Sequence, residues 1–210
     1  MSESPNGLVA IVPAAGHSRR MGRPKLLLPL GGRPVIARLV EALDHPAVLG
    51  VLVVIRPDDG ELAEAAESAG AVVVRPPEAP PDMKASVVYG LGEMRRRWPG
   101  EEVGGWMLVP GDHPVLDAAL VGEVVEAWLS TRPPVLVPTS GGRRGHPTVF
   151  DIDVARELPS IPSDAGLNHL VAEYGERVEE IELGRPELLW DLDTPEQYAE
   201  LCRRFSNGDG

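Results

Sequence analysis

Short runs of apolar residues alternate with amphipathic stretches along the first half of the chain. Leu8–Val12, Gly50–Ile55, Ala71–Val74 and Trp106–Val109 read as strands. The early runs are continuously apolar rather than alternating, which is the pattern of strands covered on both faces. Helical patterns lie between them. Pro34–Leu43 puts Val35, Ile36, Leu39, Val40 and Leu43 on one face. Asp58 or Asp59 can cap a helix that runs to Ala69 and stops at Gly70. Met83–Trp98 and Asp117–Leu129 read as further helices. Pro134–Val137 and Pro147–Phe150 then read as strands, Ala165–Tyr174 as a helix, Val178–Leu183 as a strand and Thr194–Phe205 as the last helix. Thr194 is a good N-cap, and Pro195 suits the first helical position. This order predicts an α/β fold: a Rossmann-like, doubly wound, mostly parallel sheet with helices on both faces. Ligands of such sheets sit beyond the carboxyl ends of the strands, so the loops that follow strands matter most. No repeat or boundary divides the chain, and one domain over 1–210 is expected. The Pro-rich loop 75–82 and the Gly-rich loop 138–147 are expected to act as flaps over a site.

Charge narrows the functional classes. Against 32 Asp and Glu the chain sets 20 Lys and Arg, a net charge of −12. That balance disfavours a general nucleic-acid binder or an electrostatic membrane anchor, both of which need basic surface. The longest strongly apolar run, Val48–Ile55, is far too short to span a bilayer, and the start MSESPNG lacks the basic and apolar regions of a signal peptide. The single cysteine, Cys202, excludes an intramolecular disulfide and a cysteine metal cage. A cytoplasmic protein is expected. The charge is unevenly spread, however. Between Glu3 and Glu41 there is no acidic residue, and the gap holds Arg19, Arg20, Arg23, Lys25, Arg33 and Arg38. Such a stretch is either a solvated face or a site for a small polyanion.

The loop after the first strand favours the second reading. It runs Pro13-Ala14-Ala15-Gly16-His17-Ser18-Arg19-Arg20-Met21-Gly22-Arg23-Pro24-Lys25. Small residues let backbone N–H groups approach an anion, and Arg19 and Lys25 can neutralise phosphate. Neither Gly-Lys-Ser/Thr nor GxGxxG is present, which excludes the P-loop and the dinucleotide fingerprint.

Residues 14–36 resemble the signature of the MobA/MocA-like nucleotidyltransferases almost throughout. The resemblance implies transfer of a nucleoside monophosphate from an NTP to a small acceptor, without a protein nucleophile. It implies that Ala14, Ala15, Gly16, Ser18 and Gly22 wrap the nucleotide. Arg19 and Lys25 would hold its phosphates and stabilise charge during transfer. The nucleotide-binding half would span about 8–115 and the acceptor half about 116–205.

The family resemblance continues in the acidic loops. Gly111-Asp112-His113-Pro114 follows the fourth strand, where a carboxylate facing a triphosphate suits Mg²⁺, a hard ion taking oxygen ligands. Asp112 would be one ligand. Asp191-Leu192-Asp193-Thr194-Pro195-Glu196 would supply the other, Asp193 in preference to Asp191; two carboxylates two apart in extended chain point the same way. His113 stands where Gln is expected and either touches substrate or fills a permissive position. Met83–Leu91 is similar to a family segment near the base and ribose, with Asp82 and Lys84 in place of small residues; Ser86 is its nucleotide-binding candidate. Gly145-His146-Pro147 and, more loosely, Ser163-Asp164-Ala165-Gly166 are similar to acceptor-side segments, making His146 and Asp164 substrate candidates. The tryptophans are expected to pack in the core.

Pro13-Ala14-Ala15-Gly16 and the Gly-His-Pro motif are most similar to the cytidylyl branch. They imply CTP and a molybdopterin-like phosphorylated acceptor, and leave contact with a recipient molybdoenzyme or chaperone open. The guanylyl branch, using GTP, is the alternative. The cytidylyltransferase of isoprenoid synthesis shares the Val-Pro-Ala-Ala-Gly start. It is disfavoured by Leu26-Leu27 in place of Gln-Tyr and by the missing Asp-Ala-Ala-Arg loop. A silent nucleotide-binding module would not need Lys25, Asp112 and Asp193 together.

Overall fold

The apolar runs form the middle of one sheet. The structure, a computed structural model, describes residues 7–100, 102–114, 117–162 and 165–206. The chain passes through β1 (Gly7–Pro13), the hairpin strands β2 (Pro29–Leu30) and β3 (Arg33–Pro34), α1 (Val35–Ala42), β4 (Val48–Val54) and α2 (Gly60–Ser68). It continues through β5 (Val72–Val74), α3 (Met83–Arg97), β6 (Val103–Leu108), α4 (Ala118–Thr131), β7 (Val135–Ser140), β8 (Arg143–Arg144) and β9 (Thr148–Asp151). It ends with α5 (Leu167–Tyr174), β10 (Val178–Glu182) and α6 (Pro195–Ser206).

The main sheet has the order β10-β7-β9-β6-β1-β4-β5, with β8 paired to β7. β1 lies parallel between β4 and β6, so that Ile11 stands beside Leu52 on one side and Leu108 on the other. Only along β9 does this main path run antiparallel, to both β6 and β7. Alternate β1 residues serve opposite cores. Leu8, Ala10 and Val12 meet α1, α2, α4 and α6, whereas Val9 and Ile11 meet α3 and α5. A strand buried on both faces has no polar positions to reveal a period of two, which is why β1 reads as an unbroken apolar run. Helix caps fall where the chain supplies carboxylates: Asp59, Asp82 and Asp117 accept from Leu62, Ala85 and Leu120 N–H respectively.

The differences from expectation have local causes. The β2–β3 hairpin and β8 are two-residue strands, too short to show a period. β6 starts at Val103 rather than Trp106 and includes Gly104 and Gly105. A Cβ on Gly105 would stand 2.7 Å from Phe150 O and from Trp128 Cζ2, so close packing explains the glycine. Trp106 and Trp128 are fully buried, and Trp106 stacks on Phe150 with centroids 4.3 Å apart. Trp98 and Trp190 are half-buried against the two cores. The segment 138–147, expected as a flap, is a pinned hairpin. The Glu182 carboxylate accepts from Gly141 and Gly142 N–H at 3.0 and 3.1 Å and from the Thr139 hydroxyl at 3.1 Å.

Candidate active site

The loop from Ala14 to Lys25 leaves the sheet at the carboxyl end of β1. Its first residue is tied down by Ala14 N–H donating to Val54 O at 2.8 Å, and Met21 anchors its middle in the core. Ser18 then reverses the chain. It takes a positive φ of 50°, its carbonyl accepts from Met21 and Gly22 N–H, and its hydroxyl accepts from Lys25 N–H at 3.2 Å. Gly22 has φ +69°, a conformation that favours glycine. These constraints deliver Lys25 to the end of β6.

There the Lys25 ammonium bridges two carboxylates. Nζ donates to Asp193 Oδ1 at 2.8 Å and to Asp112 Oδ2 at 3.3 Å. Arg20 holds the other Asp193 oxygen at 2.6 Å. The Lys25 side chain is only 15% exposed, so its pairing is better shielded than a surface ion pair. Two distant segments meet because Leu192 N–H donates to Asp112 O at 2.8 Å. Asp193 is set at the start of α6: Gln197 Oε1 accepts from both Asp193 and Thr194 N–H, while Thr194 Oγ1 accepts from Gln197 N–H. This reciprocal cap fixes the carboxylate relative to a rigid helix. Burial would raise the Asp193 pKa, but the Lys25 hydrogen bond and charge, reinforced by Arg20, hold it below the ordinary value.

A cleft of about 580 Å³ opens beside this centre. Ala14, Ala15, Gly16, Ser18, Arg19, Lys25 and Asp112 line one side, and Pro80, Pro81, Asp82, Met83 and Ser86 line the other. A smaller cavity of about 320 Å³ lies behind the loop and includes Gly22, Arg23 and Arg56 in its wall. Next to Asp112, His113 and His146 meet edge to face with centroids 4.7 Å apart. His113 Nε2 stands 3.4 Å from Asp191 Oδ1, and its buried Nδ1 has no partner among the described residues. Burial disfavours the charged form of both imidazoles: it lowers the His113 pKa and, with His113 as neighbour, pushes that of His146 down to about 4.

The MobA-like NTP transferase domain family matches residues 10–178, from the second half of β1 to the start of β10. The chain belongs to this family. Among solved structures, a nucleotidyl transferase from Methanothermobacter is 25% identical with a TM-score of 0.77, the alignment covering 97% of this chain and 99% of that one. The Rv0371c protein of Mycobacterium tuberculosis is 26% identical with a TM-score of 0.76, covering 96% of this chain and 100% of that one. The bifunctional protein GlmU of Leifsonia xyli is 36% identical over 124 residues, 57% of this chain and 24% of its own length. A 2-C-methyl-D-erythritol 4-phosphate cytidylyltransferase of Xanthomonas euvesicatoria is 49% identical over 55 residues, 25% of this chain and 21% of its own. The matched region thus spans about a quarter of these curated relatives. Among the described residues, no helix is long and apolar enough to cross a membrane.

Within this family frame, the fold gathers most residues singled out from the sequence. Lys25, Asp112 and Asp193 meet directly, and Ala14, Ala15, Gly16, Ser18, Arg19 and Ser86 line the cleft. Gly22 falls in the smaller cavity. Ser86 is buried, and its hydroxyl donates to Asp82 O at 3.2 Å, which fits a helix-start role as well as a ligand contact. Asp191 and Asp193 do not act as a matched pair, because the buried Leu192 between them sends one to His113 and the other to Lys25. Asp164 lies outside the described residues. The basic stretch also divides: Arg33 pairs with Glu41, Arg38 covers Phe205 at 4.3 Å and Arg23 covers Tyr198 at 5.2 Å. Those three serve α1 and α6 rather than the cleft. From the sequence Arg20 has no role apart from the basic stretch, because a loop has no period to tell which of two adjacent arginines turns toward Asp193. Gln197 was legible in the Thr194-x-x-Gln197 spacing of a capping box.

Proposed function

We propose that this protein is a Mg²⁺-dependent nucleotidyltransferase. In this reading it moves a nucleoside monophosphate from an NTP to a phosphate-bearing acceptor and releases pyrophosphate. The observation that carries it is the Lys25 ammonium set between Asp112 and Asp193 at the edge of the cleft. Two carboxylates and an ammonium placed together on three separate segments serve no evident packing need, since Leu192 and Met21 already anchor those segments.

The donor set fits the metal. Asp112 and Asp193 offer hard oxygen ligands, and among the described residues no group of three His, Cys, Asp or Glu forms a complete cage. Phosphate and water oxygens would complete the shell, as is usual for Mg²⁺. When bound, the ion would supply charge neutralisation on the triphosphate. The chain's own residues do the rest. Loop N–H groups and Arg19 bind the phosphates, and Lys25 and Arg20 turn from the carboxylates to phosphate oxygens as the nucleotide enters. An acceptor phosphate oxygen attacks the α-phosphorus; the new P–O bond forms as the bond to the β-phosphate bridging oxygen breaks. The acceptor phosphate is already ionised near neutral pH, so no strong general base is required. Catalysis is then positioning plus electrostatic stabilisation.

CTP is the favoured donor, supported by the Pro13–Gly16 sequence and by relatives named as cytidylyltransferases. His146, beside Asp112 and clear of the loop, marks the acceptor side, and its Gly-His-Pro setting favours a molybdopterin-like phosphate. A polyanionic nucleic acid or a membrane is no partner in this reading, and the protein works in the cytoplasm. The test is pyrophosphate release from each of the four NTPs with a panel of phosphorylated acceptors, the nucleotidylated product being weighed by mass spectrometry. CTP-dependent product is expected, with Lys25→Met reducing turnover by about 10²–10³-fold. Full turnover by Lys25→Met, or NTP binding without transfer to any acceptor, would overturn the proposal.

A further inference from the structure

Arg56 follows the carboxyl end of β4, one residue beyond the buried Ile55, and belongs to no sequence motif that the proposed reaction uses. Its side chain is 19% exposed, and its guanidinium makes three polar contacts. Nη1 donates to Gly16 O at 3.0 Å, Nη2 to Asp59 Oδ2 at 2.6 Å, and Nε lies 3.6 Å from Asp58 Oδ1. Asp59 is itself fixed, because its other oxygen caps α2 by accepting from Leu62 N–H. Arg56 therefore forms a strut between the start of α2 and the tip of the nucleotide loop.

The direction of that strut has a consequence for the cleft. Arg56 stands in the wall of the smaller cavity behind the loop, whereas Gly16 and His17 border both that cavity and the larger cleft. A trans peptide is planar, with its C=O and N–H pointing opposite ways. Holding Gly16 O toward Arg56 thus turns the His17 N–H away from Arg56, and the larger cleft is the other cavity that His17 borders. Among the described residues no acceptor meets that N–H. The charged donor on Gly16 O also polarises the same peptide, strengthening its N–H as a donor.

We propose that Arg56 is a positioning residue that orients the Gly16–His17 peptide so that the His17 N–H donates to a phosphate of the bound nucleotide. The inference rests on the nucleotidyltransferase reading and adds the residue that sets its loop. Arg56 touches no ligand. Its loss frees the peptide to rotate and weakens phosphate binding, with less effect on the chemical step.

The test uses the full chain with CTP and Mg²⁺ as the probe. Calorimetric titration should show Arg56→Met binding CTP about tenfold more weakly than wild type, the order expected for one hydrogen bond to a charged group. Arg56→Lys, which keeps a cationic donor at this position without the guanidinium fork, should recover part of that loss. In the wild type, ¹⁵N-resolved spectra should show the His17 amide moving strongly on addition of CTP, and in Arg56→Met that response should shrink. An effect on thermal stability alone, with CTP affinity and the His17 response unchanged, would overturn the inference. Wild type that binds neither CTP nor any other NTP would instead fell the underlying reading, and this inference with it.

Discussion

One ammonium, that of Lys25, is shared by two carboxylates from distant segments of the chain. Lys25, Asp112 and Asp193 were legible in the sequence because their types and the loops that hold them point to phosphate and a hard cation. Which of Arg19 and Arg20 approaches Asp193 was not legible, since that depends on the left-handed turn at Ser18. The histidine pair beside the centre makes its own prediction. His146 has a folded-state pKa of about 4 against an ordinary 6.5, chiefly through burial. As pH falls below 6.5 the unfolded chain takes up the proton first, so the native state loses stability progressively down to about 4; above 6.5 the term vanishes. The loss amounts to roughly 3 kcal/mol at its largest. Denaturant unfolding at several pH values should therefore give a shallower acid slope for His146→Asn than for the wild type. Identical slopes would show that His146 is not the buried neutral group described.

At the scale of elements, the long helices and central strands follow from their patterns, and of the two cap candidates Asp58 and Asp59 the chain uses Asp59; the caps at Asp82 and Asp117 emerge only in the fold. What stayed hidden was set by tertiary contact. β6 runs through Gly104 and Gly105, residues with poor strand propensity; at Gly105 the Phe150 carbonyl of β9 and the Trp128 ring leave no room for a side chain. Gly105→Ala forces a methyl against Phe150 O and the Trp128 ring, and overpacking of that kind costs about 1–3 kcal/mol. Calorimetry should record a melting temperature lower by roughly 2–10 °C in this variant. An unchanged melting temperature would mean that β6 and β9 are free to part. The Glu182 contacts show the same principle in a loop: a glycine-rich segment that reads as mobile is held by one carboxylate reached from β10.

For the whole molecule, the net charge of −12 and the basic loop are complementary facts. The overall field discourages extended polyanions. Arg19 and Lys25 nonetheless line the cleft at the carboxyl end of β1 and Arg20 pairs with Asp193 beside it, the place of the proposed anion site, while Arg23, Arg33 and Arg38 support neighbouring elements. Sequence alone could place the site at that edge of the sheet, because doubly wound topology dictates it. It could not show that the α6 cap and the β6 loop are joined through Leu192, since that contact exists only once the chain has closed on itself.

The central claim is that Asp112 and Asp193 together receive the metal that accompanies a nucleoside triphosphate. Its most direct test is calorimetric titration of CTP with Mg²⁺ present and with Mg²⁺ removed by chelation, in the wild type and in Asp112→Asn and Asp193→Asn. Wild-type binding should weaken at least tenfold without Mg²⁺, a gap of about 1.4 kcal/mol or more, and that Mg²⁺ dependence should be lost in both variants. Binding that depends equally on Mg²⁺ in all three proteins would contradict it.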